Sequence, residues 1–202
     1  MARDMTKGRI LPQMTAFAIP LILGNLFQIL YNATDSIIVG KFVGDDALAA
    51  VGTAGPIMNM AILFISGMCM GAGILMSTLY GAKDMKNLEK QISTTLIGGL
   101  VFSLLIAFLM IVFAVPILRL INSPEEIIGS AAIYLRVVFL GLIFTFVYNF
   151  LANTLRALGD SRTPLYFLVI SAFLNVAGDL LFVVTLKLGV MGSAVATVLS
   201  EA

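Results

Sequence analysis

Long apolar stretches separated by short polar links make up most of this chain. Five of them exceed the roughly 20 residues that a helix needs to cross a hydrocarbon core of about 30 Å, and they cover residues 12–39, 54–79, 92–118, 127–151 and 165–186. A sixth runs over residues 190–202, where about 18 Å of helix is too short to cross. The pattern predicts an all-α integral membrane protein, a six-helix transmembrane bundle over residues 1–202, with its sixth helix truncated.

The composition supports a membrane protein. Hydrophobic residues make up 60% of the chain and charged residues 11%, against about 45–50% and 25% in soluble domains, which must cover their surface with polar groups. A net charge of +1 gives no indication of nucleic-acid binding. With no histidine, a histidine-based metal site or proton relay is excluded. We find no nucleophile–base pair, phosphate-binding loop or cysteine cluster, so the sequence predicts neither an enzyme nor a bound cofactor.

The basic residues predict an orientation in the membrane. If successive helices are antiparallel, eight bases fall on the side of the N-terminus and three on the other, while Arg136 lies within the fourth stretch. By the positive-inside rule the N-terminus is cytoplasmic and the protein is a multi-pass protein of the cell membrane. The eight bases are Arg3, Lys7, Arg9, Lys83, Lys86, Lys90, Arg156 and Arg162, and the three are Lys41, Arg119 and Lys187.

Two acids, Asp35 and Asp179, lie deep in apolar stretches. An isolated carboxylate at the centre of a membrane helix costs roughly 2.5–3.5 kcal/mol, and no lysine or arginine lies at matching depth. Such a group either holds a proton or binds a cation. The alternative is that both acids lie near the ends of their helices and are simply hydrated, which applies more to Asp35 because Lys41 follows it.

Polar residues at helical spacing accompany both acids. Stripes of this kind must face protein or a water-filled cavity, and together they offer the oxygen ligands that a hard cation needs. For any single stripe, hydrogen bonding between helices is the simpler interpretation. The stripes are Asn25, Gln28, Asn32 and Asp35 with Tyr31 beside them; Asn149 and Asn153; Ser171, Asn175 and Asp179; and Ser193, Thr197 and Ser200.

Proline and glycine positions predict two local features. Pro20 lies inside the first stretch, where it removes a backbone donor, so we expect a kink. Gly67 and Gly71 have the spacing of small residues that let membrane helices approach closely, so we expect close packing there.

Several segments resemble the multidrug and toxic compound extrusion (MATE) family of transporters, and the resemblance covers nearly all of the chain. The most specific features are the aspartate of the first helix and the Arg-Ala-Leu-Gly-Asp link after the fourth. The similar segments are Ile19–Leu21, Asn25–Leu26, Asp35–Gly40, Ala47–Gly52 and Leu155–Pro164, together with Asn175 and Asp179 in the fifth stretch.

This resemblance implies a fold of twelve helices in two lobes, of which this chain would be the N-terminal lobe and would lack its C-terminal partner lobe. It implies an antiporter that exports amphipathic, often cationic compounds in exchange for H⁺ or Na⁺ by alternating access. Pro20 matches a proline whose kink is proposed to change with protonation. The implied cation site is Asp35, Asn149, Asn175, Asp179 and Thr197, with Na⁺ at Asp35, Asn175 and Asp179, and the implied substrate cavity includes Gln28 and Tyr31, beside which Asn32 lies.

Two other interpretations stay open. A related flippase for lipid-linked sugars would be expected to line its cavity with bases, whereas the apolar stretches here hold two acids and only Arg136. A membrane scaffold, or an inactive fragment, is the other.

Overall fold

The computed structural model describes residues 10–202, with side chains from residue 11 onward, so the predicted leader bases Arg3, Lys7 and Arg9 lie outside the described residues. The described part is helical and contains no strand. The helices are α1 (Ile10–Phe42), α2 (Asp45–Gly81), α3 (Met85–Leu120), α4 (Glu125–Leu140), α5 (Leu142–Ala157), α6 (Arg162–Asp179) and α7 (Val190–Glu201), with a π-helical segment, Leu180–Thr185, continuing α6.

The fourth predicted stretch is not one helix, so the described residues form seven α-helices where six were predicted. It is divided into α4 and α5, which meet at Gly141 with a bend of 46°. A Cβ atom at Gly141 would lie 2.4 Å from Cγ2 of Val198 on α7, so only glycine allows this close approach. By length and composition, four helices could each cross a membrane, the bent pair could form a fifth span, and α7 is a shorter apolar helix.

Helix α2 lies at the centre of the bundle and packs against α3, α4 and α5. Its buried residues recur every three or four positions and are mostly small, which lets neighbouring helices approach closely. They meet large buried side chains of the other helices, among them Phe139, Phe146 and Leu135. The buried residues of α2 are Ala47, Ala50, Ala54, Ile57, Ala61, Ile65, Cys69, Gly73 and Met76.

The outer surface is apolar, as expected of a lobe that faces lipid. Leu63, Phe173 and Leu120 are 71%, 72% and 80% exposed, and a soluble protein would not present so many large apolar side chains together. Helix α1 is the most exposed of the long helices. Of its described side chains only Pro20, Asp35, Ile38 and Val39 are buried, and it packs chiefly against α6.

The glycine pair singled out in the sequence does not mediate packing between the described residues. A Cβ at Gly67 or Gly71 would meet nothing within 4 Å. Close approach occurs instead at Gly99, where a Cβ would lie 2.1 Å from the ring of Phe146, and at Gly141. The spacing of small residues therefore indicated where an approach is allowed but not where one occurs.

Asp160 organises the link between α5 and α6. Its Oδ1 accepts hydrogen bonds from the backbone N–H groups of Arg162 (3.0 Å) and Thr163 (3.1 Å), and its Oδ2 accepts one from the Thr163 hydroxyl (2.8 Å). Partial burial would raise the pKa of Asp160, but these hydrogen bonds to the charged form outweigh it and lower the pKa below its usual value of 3.8. Asp160 thus satisfies free N–H groups in the first turn of α6.

Candidate cation site

Asp35 reaches the interior of the lobe from the exposed helix α1. It is 8% exposed, and its Oδ1 accepts a 2.7 Å hydrogen bond from the hydroxyl of Ser193 on α7, which is fully buried. Asp35 is therefore not a hydrated residue at a helix end, although Lys41 follows it one and a half turns later.

Asp179 lies at the last position of α6 and has no exposed surface. The buried amide of Asn175, one turn earlier, bridges it to α7 when its nitrogen faces Asp179: it donates to Asp179 Oδ2 at 3.0 Å, and its oxygen accepts from the Thr197 N–H at 3.3 Å. The opposite orientation leaves only a 3.4 Å contact from Asn175 Nδ2 to the Thr197 hydroxyl. We adopt the first because it satisfies both ends of the amide.

The two carboxyl groups meet. Asp35 and Asp179 are close enough for a side-chain hydrogen bond to each other, and such a bond requires that one of them carry a proton. Asp179 Oδ1 has no hydrogen-bond partner within the described residues although it is fully buried. Among the same residues, no lysine or arginine forms an ion pair with either acid. Two ionised carboxylates at this separation repel, so the pair favours a bound proton or cation.

Thr197 and Tyr31 extend the polar contacts from this pair. Thr197 is 9% exposed and lies one turn along α7 from Ser193. The partly buried Tyr31 of α1 is within hydrogen-bonding reach of the Thr197 side chain and interacts electrostatically with Asp35. The structure therefore brings together four of the five predicted cation-site residues, Asp35, Asn175, Asp179 and Thr197, from α1, α6 and α7.

Asn149 is held elsewhere. Its Oδ1 accepts a 3.0 Å hydrogen bond from the hydroxyl of Ser66 on α2, and its Nδ2 donates to the Thr145 carbonyl at 2.9 Å. Both ends of the amide are occupied by these bonds, and no described contact joins Asn149 to the acid pair.

The predicted substrate-cavity residues lie on the open face of α1. Gln28 and Asn32 are exposed, as is Asn25, while Tyr31 is partly buried. Pro20 is buried inside α1, which is helical without a break from Ile10 to Phe42. The expected kink at Pro20 stays a prediction.

Three further polar residues of this region were not selected from the sequence. The Thr145 hydroxyl donates a short hydrogen bond to Oε2 of Glu201 on α7, and Tyr134 of α4 is buried where it feels the charges of Asp35, Asp179 and Glu201. The signal for Glu201 was its spacing, because it continues the four-residue step from Ser193 to Thr197.

Comparison with known proteins gives a consistent result. The sequence profile of the MatE family matches residues 20–181. The chain is 35% identical over 202 residues to "Probable multidrug resistance protein YpnP" of Bacillus subtilis (strain 168), covering 99% of this chain and 45% of that protein. It is 36% identical over 201 residues to "Probable multidrug resistance protein YoeA" of the same strain, covering 96% and 43%.

Solved structures agree with these relatives. A MOP superfamily transporter from Pyrococcus furiosus superposes with a TM-score of 0.88 at 29% identity, over 94% of this chain and 42% of that one. A MATE protein crystallised in complex with MaD3S gives 0.87 at the same identity and coverage. The chain spans less than half the length of the relatives that it matches. Because the family profile covers most of its residues, the chain belongs to the MatE family of membrane transporters.

Proposed function

We propose that this chain is the N-terminal lobe of a cation-coupled antiporter that exports amphipathic compounds, including organic cations, by alternating access. The proposal is supported by the multidrug relatives and by one structural observation. Asp35 and Asp179 form a buried carboxyl pair, and no described basic residue forms an ion pair with it. The whole activity requires a second lobe, which would face the exposed side of α1.

The acid pair provides a reason for coupling. A ligand shifts a conformational equilibrium only by as much as its affinity differs between the two states. The ion is held tightly when α1, α6 and α7 are together, because it removes the repulsion between two buried carboxylates. It is released when the pair separates or becomes hydrated. An inward ion gradient could therefore drive the lobe from one state to the other.

Two coupling ions fit this chemistry. A proton would complete the hydrogen bond between the two carboxyl groups, and Na⁺ would draw oxygen ligands from both acids, Asn175 and Thr197. We favour the proton, because the carboxyl groups already lie within hydrogen-bonding reach of each other.

The exposed polar face of α1 supports a cavity for the substrate. Asn25, Gln28 and Asn32 are presented on the open side of a helix that is otherwise apolar, and such groups are not stable against lipid. A second lobe packed opposite would enclose them in a water-filled cleft. We further propose that the N-terminus is cytoplasmic and that the protein resides in the cell membrane, following the distribution of basic residues.

The test is drug export by the full-length protein in cells that lack their own efflux pumps. We expect Asp35→Asn and Asp179→Asn each to raise accumulation of the dye ethidium to the level of cells without the transporter. Glu126→Gln, which changes an exposed carboxyl to an amide, is the matched control and should export normally. Immunoblotting of membranes checks insertion. Unchanged export in both aspartate variants would refute the roles assigned to them.

The coupling ion is tested in proteoliposomes. We expect an imposed pH gradient at constant Na⁺ to drive substrate exchange, and an imposed Na⁺ gradient at constant pH to fail. The reverse result would assign Na⁺ to the pair.

The flippase alternative is disfavoured by Arg136. This base lies within the fourth stretch, but it is exposed and its Nε contacts the Ile111 carbonyl on α3 at 3.4 Å. It is therefore directed away from the acid pair and is not placed to receive a phosphate there.

A further inference from the structure

Three polar side chains on α7, Ser193, Thr197 and Glu201, are spaced four residues apart and lie on one face. Each contacts a different part of the lobe interior: Ser193 bonds Asp35, Thr197 contacts Tyr31 and Asn175, and Glu201 accepts from Thr145. At 1.5 Å per residue, the column rises about 12 Å from Ser193 to Glu201. It therefore begins at the acid pair and continues along the axis of α7 away from it.

Glu201 lies within electrostatic range of three phenolic hydroxyls. Its charge acts on Tyr31 from α1, on Tyr134 from α4 and on Tyr148 from α5. The other titratable groups that face this region are Asp35 from α1 and Asp179 from α6, while the π-helical segment contributes none.

Glu201 has no ion-pair partner among the described lysines and arginines. Within residues 10–202 no lysine or arginine forms an ion pair with it, and its described side-chain hydrogen bond comes from the neutral hydroxyl of Thr145. A carboxylate in this setting is stabilised by neutralisation, as Asp35 and Asp179 are. At the other end of the column, the fully buried Asp179 Oδ1 lacks any described hydrogen-bond partner.

We propose that Glu201 is a second proton-binding residue of the lobe, which exchanges a proton with the Asp35–Asp179 pair. This inference rests on the proposed function and names the route of its coupling ion. In the exchange, the proton leaves a carboxyl of the pair and binds the Glu201 carboxylate, so the negative charge moves in the opposite direction. The hydroxyls of Thr197 and Tyr31 lie between the two ends, and each can accept one proton while donating another.

The direction of transfer follows from the proposed orientation. Helix α7 runs from the outer side at its Gly189 end toward the cytoplasm, so Glu201 lies about 12 Å nearer to the cytoplasm than Ser193. Tyr148 interacts electrostatically with both Glu201 and Arg156, and Arg156 lies in the last turn of α5, before the basic link. Glu201 is thus the inner of two proton-binding positions.

The experiment uses the full-length protein in proteoliposomes and compares two rates. One is substrate transport driven by a pH gradient, and the other is exchange of labelled for unlabelled substrate without a gradient, which needs no net proton movement. We expect Glu201→Gln to reduce the driven rate at least tenfold and to leave the exchange rate within twofold of wild type. Glutamine can still accept the Thr145 hydrogen bond, so packing is retained. Glu89→Gln, an exposed acid on α3, is the matched control.

The outcomes separate the two proposals. If the wild-type protein shows no proton-driven transport, the coupling in the proposed function fails. If wild type is driven and Glu201→Gln keeps its full driven rate, only the role of Glu201 is overturned. If Glu201→Gln does not fold, Thr145→Val serves instead, because it removes the hydrogen bond and keeps the carboxyl. It should then shift the pH profile of driven transport by about half to one pH unit, and an unshifted profile would overturn the proposal.

Discussion

Ser193 Oγ donates a 2.7 Å hydrogen bond to Asp35 Oδ1 and so joins two residues that are 158 positions apart in the sequence. Both side chains are buried, so the bond forms away from water. It holds the carboxyl of α1 against α7, beside Asp179. The acid pair therefore depends on three helices, of which α1 is far from α6 and α7 along the chain.

We predict that Ser193→Ala impairs coupled export without abolishing it. A hydrogen bond to a charged group contributes about 1.5–3 kcal/mol, so export should fall roughly tenfold to a hundredfold, while Ser193→Thr, which keeps the hydroxyl, should retain most activity. Ethidium efflux from preloaded cells measures both. Ser77→Ala, which removes an exposed hydroxyl bonded to its own helix, is the control, and normal export by Ser193→Ala would show that the bond is dispensable.

We predict that the two aspartates behave as one unit. Because a single ion shared by the two carboxyl groups removes their repulsion, either Asp35→Asn or Asp179→Asn should remove the coupling completely, and the double variant should be no worse than either single one. Gradient-driven uptake in proteoliposomes provides the comparison. Additive losses in the double variant would mean that the carboxyl groups act separately.

We predict that Asp160→Ala destabilises the lobe in a pH-dependent way. Loss of the hydrogen bonds to the first turn of α6 should cost about 0.5–2 kcal/mol at neutral pH. The folded pKa of Asp160 is lowered, so its contribution is present above the usual value of 3.8 and is lost as the pH falls through the folded pKa. Thermal unfolding in detergent should therefore show a lower Tm for the variant at pH 7 and a smaller difference near pH 3.

The matched control for that experiment is Asp46→Ala, which removes an exposed carboxyl from the first turn of α2. Its effect should be smaller than that of Asp160→Ala at pH 7. An equal loss of Tm in the two variants would contradict the capping role of Asp160.

We predict that Gly141→Ala disturbs the contact between α5 and α7. The new methyl group would lie 2.4 Å from Val198 Cγ2 and 2.8 Å from Cγ1, and the stiff valine side chain cannot turn away freely. Overpacking of this kind costs about 1–3 kcal/mol. Adding Val198→Ala should restore much of the Tm, whereas Gly129→Ala, which meets nothing within 4 Å, should leave it unchanged or raise it.

We predict that Gln28→Ala and Asn32→Ala alter which compounds are exported. Both side chains are exposed on α1 and make no described contact with the acid pair, so Tm and the response to a pH gradient should stay close to wild type. Resistance profiles against a panel of cationic and neutral compounds are the measurement. A uniform loss for every compound would place these residues in coupling or folding instead of substrate recognition.

Much of this arrangement could be predicted from the chain itself. Hydropathy predicts the long helices, because a helix that crosses the lipid core needs about 20 consecutive apolar residues. The free-energy cost of an isolated carboxylate in such a helix identifies Asp35 and Asp179 as candidate functional residues. The contacts between side chains of different helices could not be predicted, because they depend on which helices pack against each other. Gly141 proved to lie against Val198 of α7, and the partner of Asn149 proved to be Ser66 on α2.

The same reasoning explains the glycines and Glu201. Small residues at four-residue spacing permit a close approach between helices but do not show which helix will be the neighbour. Close packing was therefore expected at Gly67 and Gly71, whereas it occurs at Gly99 and Gly141. Glu201 could be predicted only by treating α7 as one continuous polar face. Its contact with Thr145 is set by how α5 and α7 pack.

Helix α1 has a further consequence because so few of its side chains are buried. Asp179 is fixed within α6 against α7, whereas Asp35 is carried by a helix whose buried residues other than Pro20 lie close to one end. A tilt of that single helix would change the distance between the two carboxyl groups and leave the packing around α2 undisturbed. The lobe could therefore switch its affinity for the ion without repacking the buried residues of α2.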